Sequence, residues 1–261
     1  MISPWQQRIR RAQELKDQHG FADEILTFYI QIATEQEKTY REICDREFAG
    51  KLSDPIPEPI PKIALIGPQF KSFLSVVEDY GPAELVKLSR QLQKTSGWPQ
   101  LLNQAWLAAA PSEASLILAQ AFLQPYAELV RSRTSLESVP AEHAVCPFCH
   151  RKPCFGVLRQ KGEGGSRSMV CAFCSAEWDF RRIVCPGCGE ENEKQLPIYT
   201  AETFDYIRVE CCETCKTYIK TVDLTKNGNA EPVVDELASA PLDLWARERG
   251  YAKLHNNLLG M

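Results

Sequence analysis

Four Cys-x-x-Cys pairs fall inside the segment Cys146–Cys215, and no other feature of the chain restricts its folding as tightly. The pairs are Cys146/Cys149, Cys171/Cys174, Cys185/Cys188 and Cys212/Cys215. They make two copies of one arrangement, with 21 residues between Cys149 and Cys171 and 23 between Cys188 and Cys212. Two thiolates separated by two residues can grip one metal ion from a tight turn. Two such turns supply a tetrahedron of sulfur, the donor set of structural zinc or of rubredoxin-type iron. The spacing follows a known metal-site signature with slightly longer loops. The eight cysteines are read as ligands of two metal ions, iron or zinc, each copy closing its own site from its own hairpin.

The two copies can be laid over one another. Each opens Cys-Pro-x-Cys, runs through a hairpin, and ends in a second Cys-x-x-Cys followed by an aromatic, Trp178 in one and Tyr218 in the other. That self-similarity points to an internal duplication. A unit of about 40 residues cannot bury enough apolar surface to fold unaided. Bound metal must stabilise it, and structural zinc contributes about 10–16 kcal/mol in small peptides.

Before residue 140 the chain reads as helical. Trp5, Ile9, Ala12 and Leu15 recur at helical steps, and Ala22–Phe48 continues the period until Gly50. Alternate prolines over Asp54–Pro61 forbid helix and predict an extended connector. Helical patterns resume over Gln69–Tyr80, Ala83–Lys94, Gln100–Ala110 and Ser112–Arg133, the last with Ser112 as N-cap. Beyond Pro140 glycine, cysteine and short β-branched runs take over, with Lys161–Ser166 as a flexible turn. After Gly228 helix returns over Val233–Ala240 and Leu242–Asn256, where Leu244, Trp245, Ala252 and Leu254 are available for packing. The expected organisation is α+β: a helical bundle (1–140), two rubredoxin-like or zinc-ribbon-like metal modules (141–182 and 183–228), and a helical tail (229–261) packed on the rest.

Competing readings of the cysteines fare worse. Cys146–His150 matches the haem-attachment pattern Cys-x-x-Cys-His, but haem attachment goes with export and Cys146/Cys149 already has a partner pair. His150 stands where the second copy has Gly189, which makes it a turn residue. A dithiol oxidoreductase places its pair at a strand-to-helix step, whereas these lie in Gly/Pro-rich, hairpin-like surroundings. Iron–sulfur clusters use tighter cysteine groupings. Three thiols are surplus: Cys44 is helix core filler, Cys154 lies near the first knuckle, and Cys211 competes with Cys212. Cys212 is preferred because it keeps the two-residue spacing. The four histidines show no ligand pairing, and no phosphate loop, nucleophile elbow or His-Glu-x-x-His motif is present.

Charge narrows the class further. Residues 141–222 carry 11 Lys and Arg against 11 Asp and Glu, and eight thiolates on two divalent metals would make the region acidic. Nucleic-acid binders carry a basic patch, so nucleic acid is not an expected partner. No run approaches the roughly 18 apolar residues of a membrane span, so no membrane insertion is expected. The N-terminus lacks the apolar stretch of a signal peptide. A reducing, cytoplasmic setting follows, in which paired cysteines bind metal more often than they form disulfides.

The chain resembles the formate dehydrogenase accessory protein family (FdhE). The likeness is densest in Cys146-Pro-Phe-Cys149, in Val170-Cys171-Ala-Phe-Cys174-Ser-Ala-Glu-Trp178 with Arg181-Arg182, and in Cys185-Pro-Gly-Cys188-Gly189. It continues through Arg208-Val-Glu, Cys212-Glu-Thr-Cys215-Lys-Thr-Tyr218-Ile-Lys220, Asp235-Glu-Leu-Ala-Ser, Leu242-Asp243 and Gly250-Tyr251-Ala252. The helical front matches in layout. The resemblance implies a non-catalytic, cytoplasmic maturation factor with rubredoxin-like modules. Its partner would be the catalytic subunit of a respiratory, molybdenum- or tungsten-containing formate dehydrogenase. All eight family cysteines have counterparts; Cys154 and Cys211 are additional. Two other classes remain open at this point: an electron-transfer protein using rubredoxin-type iron, and a zinc-ribbon nucleic-acid binder.

Overall fold

The computed structural model describes residues 3–45, 67–134, 139–162 and 164–260. These divide into two compact units, Met1–Ser135 with Leu258–Gly260, and Leu136–Asn257. The proline-rich connector expected over Asp54–Pro61 and the helix end expected at Gly50 lie outside the described residues.

The first unit is helical. Helix α1 (Pro4–Gln18) begins at a capping box, the Ser3 hydroxyl accepting from the Gln6 amide at 3.1 Å while the Gln6 side chain accepts from the Ser3 amide at 3.3 Å. Its face of Trp5, Ala12 and Leu15 is buried. Helices α2 (Asp23–Asp45), α3 (Gly67–Tyr80), α4 (Ala83–Gln93) and α5 (Trp98–Leu107) follow. Helix α6 (Ala114–Arg133) is buried almost all round from Leu118 to Val130. Pro125 sits in its interior and has no N–H to give the carbonyl of Ala121. The α2 side chain Gln36 fills that vacancy, its Nε2 donating to the Ala121 carbonyl at 2.6 Å. Phe70 and Phe73 of α3 pack against Phe122 with ring centroids 4.9 and 5.6 Å apart. The expected cap at Ser112 is wrong. The helix starts two residues later, and the Glu113 carbonyl, with no side-chain cap, accepts the first amides.

Among the described residues the second unit is one sheet of seven strands with two α-helices packed on it. Its strands are β1 (Phe155–Lys161), β2 (Gly164–Val170), β3 (Glu177–Phe180), β4 (Ile198–Ala201), β5 (Phe204–Cys211), β6 (Thr217–Asp223) and β7 (Ala252–Lys253). The spatial order is β3-β2-β1-β6-β5-β4, with β7 also on β6. Each cysteine copy contributes an antiparallel hairpin, β1–β2 and β5–β6. The hairpins join through a parallel pairing of β1 with β6, Phe155 opposite Lys220 and Leu158 opposite Asp223. Gly156 marks that seam: a Cβ there would stand 2.5 Å from the Thr221 hydroxyl across the pairing. The class is therefore α+β, with both cysteine copies built on a shared sheet.

Helices α7 (Pro232–Ala238) and α8 (Ala240–Glu248) pack on this sheet, Leu242 and Ala246 meeting Val209, Tyr218 and Val222. The helix expected over Leu242–Asn256 stops at Glu248, because Gly250 turns the chain with φ of 80° and releases Ala252–Lys253 to pair with β6. Leu244, expected to pack, is 60% exposed. Among the described residues no helix is long and apolar enough to cross a membrane.

Candidate metal centres

All four Cys-x-x-Cys turns close in the same way. The amide after the second cysteine donates to the first cysteine's carbonyl: His150 to Cys146, Ser175 to Cys171, Gly189 to Cys185 and Lys216 to Cys212, at 2.9–3.1 Å. The first cysteine's amide then donates to the next carbonyl, from Arg151, Ala176, Glu190 and Thr217 respectively. This double closure forces the residue between into the left-handed region, with φ of 57°, 53°, 78° and 55°. Only Gly189 occupies it without strain; a non-glycine residue held there costs on the order of 1–3 kcal/mol. His150 is thus a turn residue, as its alignment with Gly189 implies.

The turns bring the eight cysteines together as two groups of four, Cys146, Cys149, Cys171 and Cys174, and Cys185, Cys188, Cys212 and Cys215, with the sulfurs of each group within 4.8 Å of one another. In the first, Cys146–Cys174, Cys149–Cys171 and Cys149–Cys174 are 3.5, 3.3 and 3.7 Å apart. In the second, Cys185–Cys215 and Cys188–Cys212 are both 3.7 Å apart. A metal held by sulfur at about 2.3 Å in a tetrahedron needs edges of about 3.8 Å. Either group can hold a metal ion. Amides also point at the sulfurs, Phe148 and Cys149 donating to Cys146 Sγ at 3.4 Å and Gly187 to Cys185 Sγ at 3.3 Å, which suits thiolates.

Crowding and burial keep protons on two thiols of the first group. Hydrogen bonding to Cys146 and Cys149 holds Cys171 well above the usual thiol range, and burial does the same for Cys174. A divalent ion would take the place of those protons. Burial differs between the groups: every cysteine of the first is buried, whereas in the second Cys188 is exposed and Cys215 partly so. Burial raises the Cys215 thiol, but the Thr217 hydroxyl, 3.0 Å from its Sγ, works with neighbouring donors to outweigh it and draw the group down to about 7.

The surplus thiols stand apart from both groups. Cys154 packs with Phe155, Val157 and Val170, and burial drives its thiol far up. Cys211 ends β5 in the cluster with Tyr218 and Tyr251, and burial pushes it up to about 12.

Side chains outside the cysteine pairs brace the two groups, and sequence reasoning assigned Lys220, Glu236 and Asp243 no stated role. Lys220 of β6, fully buried, donates to Asp243 Oδ2 at 2.7 Å and lies 3.1 Å from Glu236. Lys253 pairs with the same two acids, and Tyr218, which follows the last knuckle, donates to Asp243 at 2.8 Å. This network pins α7, α8 and β7 to β6. Arg167 of β2 binds Glu210 of β5 and donates to the carbonyls of Arg181 and Val184, tying one copy to the other beside Cys185. An alternating apolar strand pattern gives no warning of such internal charges.

The chain matches the family model for the FdhE central domain over residues 145–182 and that for the FdhE C-terminal domain over 183–259. It is 26% identical to the "Protein FdhE homolog" of Aquifex aeolicus over 97% of this chain and 94% of that protein. The homolog of Shewanella oneidensis is 26% identical over 67% of this chain and 59% of its own length. The crystal structure of the FdhE protein from Pseudomonas aeruginosa shares the fold, with a TM-score of 0.73 and 23% identity over 98% of this chain and 95% of that one.

Proposed function

This chain belongs to the FdhE family, and on that premise we propose that it is a non-catalytic accessory factor in the maturation of formate dehydrogenase. Its target is the catalytic subunit of a molybdenum- or tungsten-dependent enzyme, bound in the cytoplasm. The observation that carries this reading is the pair of four-cysteine groups on one sheet, inside the segment that matches the family's domains. Cys146, Cys149, Cys171 and Cys174 would hold one metal, and Cys185, Cys188, Cys212 and Cys215 the other. Zinc supplies a cross-link there and iron would add one-electron chemistry. The protein's own part is to present the surface that the cross-linked sheet makes rigid.

The test is complementation. In a strain lacking its native factor, the intact chain should restore formate dehydrogenase activity and capture the catalytic subunit in a pull-down. Replacing Cys185 and Cys188 together by serine should abolish both. Full activity and unchanged capture by that variant would mean that the helices alone carry the function.

One observation favours a second reading, electron transfer to the partner: Cys188 is exposed, as the sulfur of an outer-sphere donor would be. Zinc in the second site of protein purified under anaerobic conditions would end it.

A further inference from the structure

The two four-cysteine groups have the same ligands, spacing and turn geometry, yet their surroundings are opposite in three respects. The first is cover. The third position of each knuckle holds Phe148 and Phe173 in the first group, at 0% and 1% exposure, but Gly187 and the exposed Thr214 in the second. Both phenylalanines are buried along with all four cysteines of their group, whereas Cys188 is exposed. The second is charge. The residue that closes each copy's first knuckle is Arg151 in one and Glu190 in the other. Arg151 is buried, with its guanidinium 3.9 Å over the Phe173 ring, where it opposes the net charge of minus two left by four thiolates on a divalent ion. Glu190 adds a negative charge instead. The third is access. Cys188 is exposed and Cys215 partly so, and a pocket of 320 Å³ is lined by the group's other two cysteines, Cys185 and Cys212, together with Arg182, Ile183, Leu196 and Ile198.

From these contrasts we infer that the two centres are not equivalent: the first is a fixed structural centre, and the second is an exchangeable centre whose Cys188 and Cys215 can be displaced by an incoming ligand. The inference rests on metal ligation by the eight cysteines. Displacement is ligand substitution: the incoming donor bonds to the metal, one sulfur–metal bond breaks, and the freed thiolate takes a proton from water. No oxidant or reductant is needed. A buried, arginine-compensated group in a low-dielectric setting resists that substitution, and an exposed group beside a carboxylate does not.

The experiment uses the full chain loaded with zinc. Metal analysis first establishes two zinc ions per chain; fewer would overturn ligation by all eight cysteines and this inference with it. The protein is then mixed with the chromogenic chelator 4-(2-pyridylazo)resorcinol in the presence of iodoacetamide, and alkylated cysteines are located by peptide mass spectrometry. One zinc should leave roughly tenfold or more faster than the other. Cys185, Cys188, Cys212 and Cys215 should become alkylated with that first phase while Cys146, Cys149, Cys171 and Cys174 stay protected. Release of both ions in one phase from a chain that bound two, or alkylation of the first group ahead of the second, would overturn the inequality while leaving ligation intact.

Discussion

Cys211 and Cys212 are neighbours, each 2% exposed, and only one of them belongs to a four-cysteine group. Strand geometry separates them. Successive side chains of a strand point to opposite faces, and Cys211, the last residue of β5, turns into the apolar cluster with Tyr218 while Cys212 begins the knuckle. Cys211→Ser should therefore keep two metals per chain, whereas Cys212→Ser should lose one, with metal content by mass spectrometry as the readout. Equal losses would mean that the two thiols share the site. At this scale the grouping of the cysteines into two fours was legible, because a two-residue spacing is local and needs no knowledge of the fold. The contrast of Phe148 and Phe173 with Gly187 and Thr214 was also written in the chain. It acquires meaning only once the first group is seen to be buried throughout and the second exposed at Cys188.

Among elements, the seam between β1 and β6 was the feature hidden from the sequence. It pairs Phe155 with Lys220, residues too far apart for any periodicity to report. Only Gly156, an isolated glycine within a strand, hinted at a close approach. Gly156→Ala should force its new Cβ against Thr221 and destabilise the unit by about 1–3 kcal/mol in urea unfolding, with metal content unchanged. The ionic cluster on β6 makes a second, larger prediction. Removing Lys220 leaves Glu236 and Asp243 buried with one cation between them, so Lys220→Ala should cost about 3–5 kcal/mol. Its pH dependence has a definite sign. Burial pushes the Glu236 carboxyl up, but Lys220 and Lys253 outweigh it and hold the group down to about 2. A depressed carboxylate stabilises the fold above its ordinary range near 4 and loses that contribution as pH falls towards 2. Glu236→Gln should therefore be less stable than the parent at neutral pH, and the gap should narrow between about pH 4 and 2. A gap that stays constant through that range would mean that the carboxylate charge contributes nothing.

For the whole molecule, the deciding question is how far the loss of one metal spreads. Reading the copies as separate modules of about 40 residues predicts that each fails alone, since neither can offset its chain entropy without metal. The structure changes that expectation. The hairpins share the β1–β6 pairing, and Arg167 of β2 is held by Glu210 of β5. Strand β6 carries Lys220, which anchors α7 and α8, and it begins two residues after Cys215. Loss of the second centre should free the knuckle that holds the start of β6, and with it the edge on which β1 depends. The helical unit has its own core around α6, with Leu123 and Ala127 fully buried, and contains none of the eight cysteines. In the variant with Cys185 and Cys188 both changed to serine, hydrogen exchange should accelerate in β5 and β6 and also in β1 and β2, although the first group of four cysteines is untouched. Amides of α6 should keep their protection. Unchanged exchange in β1 and β2 would show that the copies fold independently and that the shared sheet is a contact between two finished modules. Acceleration across all four strands would mean that the sheet is the cooperative element. Either centre then governs the same surface, and that surface is the one on which the proposed docking of the catalytic subunit depends.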